Sequence, residues 1–415
     1  MGMRKKILSA VLCATMVGAM MVPTAASAEG KTITYWSMWE STEPQGQALQ
    51  EAIDAYQEAT GNTVDVQFKG RTGIREGLQP ALDAGTNIDL FDEDIDRVNQ
   101  TWGEYLLDLE DMVAESGYED TAISGLMSAC REAGGGTLKS IPYQPNVFNF
   151  FYNKAIFEEA GVEAVPTTWD EFVDVCAKVK EAGYIPLTCD DAYITCMFGY
   201  HLGRMIGEEG VKTVVTEGNW AEEPAVLEMA QAYEELASNG YFSENIEGNV
   251  WPAGQNTELA LGMAAMYLNG SWLPNEVKDM AGEDFQWGCF SYPAIEGGVD
   301  GVEAANYGAQ VFAINNKSEN AAEAFELIQY FTKGEYDQRL SELSIGIPAD
   351  TENTEWPAML ADVKPVMDSL STRYTWAVSA EANADITPVL KENFLKLCGG
   401  SITAQEFVDA MESAS

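Results

Sequence analysis

The sequence predicts an α/β fold arranged in two lobes. Short apolar or alternating runs that read as strands take turns with helical patterns along the chain, the element order that builds a mainly parallel sheet flanked by helices. The chain has 415 residues, more than one hydrophobic core ordinarily serves. Its apolar fraction of 46% is enough to fill two.

Taken in order, Thr32 to Trp36 reads as the first strand. Pro44 to Thr60 is a helix, with Leu49, Ala52, Ile53 and Tyr56 on its inner face and Gly61 as its stop. Val64, Val66 and Phe68 alternate as a second strand. Thr72 to Ala84 is helical with Pro80 inside it, and Ile88 to Phe91 is a third strand. Ligands of such sheets bind beyond the carboxyl ends of the strands, which places Trp36 to Glu40, Lys69 to Arg71 and Asp92 to Arg97 on one rim. Further on, the aromatic run Phe148 to Tyr152 feeds a short helix capped by Asn153 and stopped at Gly161. Thr168 and Glu171 form a capping box for a helix with Trp169, Phe172, Val173, Cys176 and Val179 on one stripe. Helices follow near Tyr193 to Ile206 and Glu223 to Ser238, then a strand from Met263 to Leu268 and a helix from Trp272 to Met280. Strands at Phe285 to Phe290 and Ala309 to Ile314 precede a helix from Ser318 to Thr332. Helices at Thr387 to Leu397 and Ala404 to Met411 close the chain, the last with a Thr403/Glu406 capping box.

Composition excludes several classes. Arg4 to Lys6, the apolar run Ile7 to Val22 and Ala26-Ser27-Ala28 read as a secretory signal cleaved after Ala28. Removing those 28 residues from 415 leaves 387. Cys13 follows Leu12, so no lipid anchor is expected there. Net charge is −43, or −46 without the three basic signal residues, which repels nucleic acid and anionic lipid as partners. Six cysteines remain, none in Cys-x-x-Cys, and Cys176 reads as a buried free thiol. His201 is the only histidine, which weakens a zinc site or a Ser-His-Asp triad. Gly134 to Ser140 is similar to a phosphate loop but has Leu138 where that loop needs glycine. Asp92-x-Asp94-x-Asp96 lacks the glycine and glutamate of a calcium loop, having Arg97 and Gly103 there. No cofactor or metal is expected.

One stretch is more specific. Tyr152-Asn153-Lys154, a short helix ending in glycine, then Pro166-Thr167-Thr168-Trp169-Asp170-Glu171-Phe172 resembles the signature of family 1 extracellular solute-binding proteins, the sugar-capturing components of ABC importers, with maltose-binding protein as a relative. Ile33 to Trp36, Ala84-Gly85 with Ile88 to Leu90, Ala265 to Trp272, Gly308 to Asn316 and Gly346 to Ala349 extend the likeness over most of the chain. The resemblance implies a type II periplasmic-binding-protein fold: two α/β lobes joined by crossing strands, with ligand in the cleft between. Residues 29–142 and 307–350 would form lobe 1, and residues 147–302 and 351–415 lobe 2. It implies a monomeric, non-catalytic protein that hands a carbohydrate to the permease subunits of an ABC transporter. Two alternatives stay open: a binding protein for a cationic solute such as a polyamine, and a secreted glycoside hydrolase using two carboxylates.

Site residues follow from position and from the resemblance. Trp272 follows a strand and a Gly-Ser turn, where the family offers sugar an aromatic face; a flat apolar ring matches the C–H face of a pyranose. Trp376 stands near a second stacking aromatic of the relative. Trp39 and Glu40 leave the first strand toward the cleft, while Trp36 packs. Asp96-Arg97 resembles a pair that grips sugar hydroxyls, a carboxylate accepting and a guanidinium donating in a fixed fork. Glu93 replaces a tryptophan of the relative, and Asn146 a glutamate. Arg71, Tyr193, Tyr307 and Gln310 are added from position.

Overall fold

The computed structural model describes residues 30–415. The expected signal segment, its cleavage point and Cys13 lie outside the described residues. Among the described residues there are nine strands: β1 (Thr32–Ser37), β2 (Thr63–Phe68), β3 (Leu90–Asp94), β4 (Ile141–Asn153), β5 (Ile185–Thr188), β6 (Ala264–Gly270), β7 (Trp287–Phe290), β8 (Ala304–Ile314) and β9 (Thr372–Tyr374). They form one path, β2-β1-β3-β8-β4-β6-β5, with β7 added to β4 and β9 to β8. β1 is parallel to β2 and β3, and β8 runs antiparallel to β3 and β4.

The long strands β4 and β8 thread both of the two hydrophobic cores. Ile141 and Tyr143 of β4 and Val311 to Ile314 of β8 pack with β1, β3 and the Pro44–Thr60 helix. Val147 onward in β4 and Ala304-Ala305 of β8 pack in a second, larger core with β6, β7 and the later helices. Between them β4 is irregular. Its register with β8 shifts between Tyr143 and Pro145, and Gln144 holds a left-handed φ of 45°. Such a break bends a strand locally.

The expected elements recur with a few instructive shifts. Both capping boxes form, and Asn153 caps its helix. The helix expected to end at Ile206 runs Ile194–Glu217 with a break at Gly207. β3 reaches Asp94 rather than stopping at Phe91, because Asp92 and Glu93 are buried and paired. β8 begins at Ala304 rather than Ala309. A helix at Gly334–Ser344 escaped the sequence reading because its buried face includes Asp337, Ser341 and Ser344, which erase the apolar period. The two short strands β5 and β9 were also missed. All six cysteines among the described residues are buried free thiols, and burial pushes that of Cys176 up, which keeps it inert. Among the described residues no helix is long and apolar enough to cross a membrane.

Candidate ligand-binding site

A cavity of about 640 Å³ opens where β4 and β8 pass from one core to the other. That lies within the roughly 300–1,000 Å³ range of small-molecule clefts. One wall comes from the first core: Met38 beyond β1, Arg71 and Arg75 on the Gly70–Asp83 helix, Glu93-Asp94 ending β3, and the Ile95–Thr101 helix. Asn146 of β4 and Asn306 to Gly308 and Gln310 of β8 line it at the crossing. Trp272, Arg373, Trp376 and Glu381 form the other wall. The carboxyl ends of β1 and β3 thus feed the site, as the sheet rule requires.

The two tryptophans share a base. Phe148 lies 6.0 Å from the Trp272 ring and 5.7 Å from that of Trp376, and Tyr193 lies 6.4 and 6.1 Å from them. Gly270 lets Trp272 fold back over β6, since a Cβ there would stand 2.2 Å from the ring. Trp376 is 38% exposed, and its Nε1 donates to Glu381 at 3.1 Å. It is followed by three left-handed residues, Ala377, Val378 and Ser379, with φ of 50°, 52° and 60°. Each such non-glycine residue costs about 1–3 kcal/mol and persists only where its surroundings enforce it. Here Glu208 accepts from the Thr375 amide and from Ser379, and two glycines of the long helix make room. A Cβ on Gly199 would meet the Ala377 carbonyl oxygen at 2.0 Å, and one on Gly203 would meet Val378 at 2.8 Å. Gly199→Ala is therefore expected to cost about 1–3 kcal/mol of stability and to weaken ligand binding through Trp376. Denaturant unfolding with calorimetric titration checks it; unchanged values in both would show that the turn does not depend on this contact.

The opposite wall is charged and cross-linked. Glu93 is fully buried, takes two bonds from Arg75 at 2.6 and 3.0 Å, and pairs with Arg97 at 3.1 Å. Asp94 caps the Ile95–Thr101 helix, and burial raises its carboxyl to about 6. Asp96 pairs with Arg373 at 3.4 Å. Asp92 is withdrawn from the cavity. It accepts from Tyr35 at 2.8 Å, from the Met38 amide at 3.2 Å and from Tyr143, and burial raises it to about 6. The three aspartates of the calcium-like motif therefore serve three different purposes.

Of the residues expected from sequence, Arg71, Asp96, Arg97, Asn146, Trp272, Tyr307, Gln310 and Trp376 line the cavity together. Three do not. Trp39 is 4% exposed and donates its Nε1 to Tyr143 at 2.7 Å, so it is core; Trp36 is the half-buried one, with Lys69 over its ring. Tyr193 is 7% exposed and lies beneath the two tryptophans rather than beside a ligand. Glu40 is exposed beside Gly70, outside the lining. His201 is buried against Tyr292 and Trp169, and desolvation lowers it to about 3, so it stays neutral away from the site.

A protein-family comparison now bears on this geometry. The model for bacterial extracellular solute-binding proteins matches residues 39–338, most of the chain. The chain belongs to that family. Among relatives, this solute-binding protein is 25% identical over 348 residues to the Probable ABC transporter-binding protein of Deinococcus radiodurans, covering 77% of this chain and 76% of that one. It is 27% identical over 204 residues to the Multiple sugar-binding protein of Streptococcus mutans, covering 46% of this chain and 47% of that one. A solved structure, the probable secreted solute-binding lipoprotein of Streptomyces coelicolor, superposes with a TM-score of 0.76 at 16% identity, over 92% of this chain and 98% of that one. The fold is the type II solute-binding fold expected above.

This solute-binding protein also uses lining residues that sequence reasoning passed over: Arg75, Asn306, Arg373 and Glu381 among them. Arg75 carried a signal, since it stands four residues after Arg71 on one helix face. Arg373 and Glu381 carried none, because only the β8–β9 pairing and the turn at 377–379 bring them to the cavity.

Proposed function

We propose that this solute-binding protein captures a carbohydrate in the cavity at the crossing strands and presents it, chemically unchanged, to the permease of an ABC importer. The observation that carries this reading is the pair of tryptophans on one aromatic base, facing a wall of guanidinium and amide groups. Rings stack on sugar faces while amides and guanidiniums meet hydroxyls. The Multiple sugar-binding protein relative adds support. We take residues 29–142 and 307–350 as one lobe and 147–302 and 351–415 as the other, closing about the irregular Gln144 of β4 as a hinge. The protein acts as a monomer.

The two alternatives fare worse. A polyamine needs free carboxylates, and the four in the lining, Glu93, Asp94, Asp96 and Glu381, are each already held by a guanidinium, a backbone amide or an indole. A glycosidase needs a carboxyl poised at the scissile bond. Here Glu93 is bound by two arginines, Asp94 by backbone amides, Asp96 by Arg373, and Glu381 by Trp376 and Thr195.

A thermal-shift screen over mono- and oligosaccharides, with polyamines as controls, is expected to raise the melting temperature with saccharides only. Small-angle scattering with a hit should then show a smaller radius of gyration and an intact ligand. A polyamine response, or a shortened saccharide, overturns the reading.

A further inference from the structure

Four of the seven arginines among the described residues, Arg71, Arg75, Arg97 and Arg373, line this one cavity, and no lysine does. In a chain of net charge −43 that concentration needs a reason. An equal number of carboxylates, Glu93, Asp94, Asp96 and Glu381, shares the lining, so the formal charges cancel. What the ligand meets, however, depends on which atoms are left free.

The carboxylates are engaged. Glu93 is 0% exposed and its oxygens are taken by Arg75 and Arg97. Asp94 accepts the amides of Asp96 and Arg97. Asp96 faces Arg373, and Glu381 holds Thr195, Lys391 and the Trp376 indole. The guanidiniums are not exhausted. Each carries five N–H donors. Arg75 gives Nε and Nη2 to Glu93 and Arg97 gives Nε, while their side chains remain 41% and 42% exposed. One buried carboxylate thus serves two guanidiniums, and that trio carries a net positive charge. The free acceptors at the site are neutral: Gln310 has a buried Oε1 without a hydrogen-bond partner, and Asn146 offers its amide. Neutral amide oxygens suit hydroxyl protons. The N–H donors left free on these Glu-organised guanidiniums suit a carboxylate, which only accepts.

We infer that the saccharide is acidic: an oligosaccharide containing a hexuronate, its carboxylate set against Arg75 and Arg97 while its rings stack on Trp272 and Trp376. This rests on the carbohydrate reading above and narrows it.

The test is titration calorimetry with di- and trisaccharide hexuronates of the galacto, gluco and manno series. Each is compared with its methyl ester, which keeps the ring and removes the charge, and with the matching neutral hexose oligomer. At least one acid is expected to bind about tenfold or more tighter than its ester, the scale of a charge-assisted hydrogen bond. Arg97→Gln should collapse that acid-to-ester ratio, and Arg97→Lys should restore part of it; circular dichroism confirms that each variant is folded. If neutral oligomers or esters bind as well as the acids, the inference is wrong and the carbohydrate reading stands. If hexose phosphates bind and no uronate does, the carboxylate assignment is wrong. If no saccharide of any series binds, both fall together. A ratio unchanged in folded Arg97→Gln also overturns the placement.

Discussion

Trp272→Ala is expected to weaken saccharide binding by about thirtyfold to a thousandfold, the effect of losing an aromatic anchor worth about 2–4 kcal/mol. The ring is only partly buried, whereas the neighbours that hold it, Phe148 and Tyr193, are buried. Gly270 leaves room for the ring, which lines the cavity. Removing the ring therefore takes away ligand contact more than core packing. The stability loss should stay below the roughly 3–5 kcal/mol that truncating a core tryptophan costs. Titration and denaturant unfolding of the same variant separate the two roles. Binding within twofold of the parent, or an unfolding loss in the core range, would return Trp272 to the core. Trp39→Ala gives the contrast: it should lose stability, because its ring is enclosed and its Nε1 is tied to Tyr143.

The contrast between the two tryptophans shows what the sequence could convey. Elements with local signatures were legible: the Pro44–Thr60 helix from its apolar stripe and Gly61, and both capping boxes from four residues each. Trp39 was misplaced because its partner, Tyr143, lies 104 residues away, and nothing near Trp39 says that the chain leaving β1 turns inward. The first part of β8 was missed because Asn306, Tyr307 and Gly308 break its apolar pattern, and those are cavity residues. Polar residues that line the cavity violate the local rule of the strand that carries them, so cavity and element boundary were lost together. The same holds at β3, where Asp92-Glu93-Asp94 reads as a loop until Tyr35, Tyr143, Arg75 and Arg97 are brought around it. Trp272 and Asp96-Arg97 were found through resemblance, which carries non-local information that periodicity lacks.

Those buried acids give the second large expected effect: the ligand-free protein should be more stable at pH 5 than at pH 7.5. Asp92, Asp94 and Asp337 are each raised by burial to about 6, against the ordinary aspartate range near 4. A group raised in the folded state binds its proton more tightly there than in the unfolded chain. Its contribution to stability is complete below the unfolded value, near pH 4, and is lost as pH rises through about 6. Each such group is worth about 2–3 kcal/mol in all and about 1.4 kcal/mol of that between pH 7.5 and pH 5, so three together give about 4 kcal/mol, or about 5 °C in melting temperature for a chain of this size. Protonation also relieves the self-repulsion of a chain of net charge −43, which acts in the same direction. His201 opposes these aspartates: burial lowers it to about 3, so its contribution is lost as pH falls through the unfolded imidazole range near about 6.5. Glu276, raised by burial to about 7, acts with the aspartates and offsets His201. Glu51 beside Arg339, Glu110 beside Arg131 and Glu392 beside Lys396 are lowered but exposed, and they titrate below this window. Thermal unfolding at pH 5.0, 6.0, 7.0 and 7.5 should therefore fall steadily, and Asp92→Asn, neutral at every pH, should flatten part of that slope. A melting temperature that is level or rises toward pH 7.5 would show that these carboxyls are charged at no cost in the folded protein, and that Tyr35, Tyr143 and the Met38 amide fully offset the burial of Asp92.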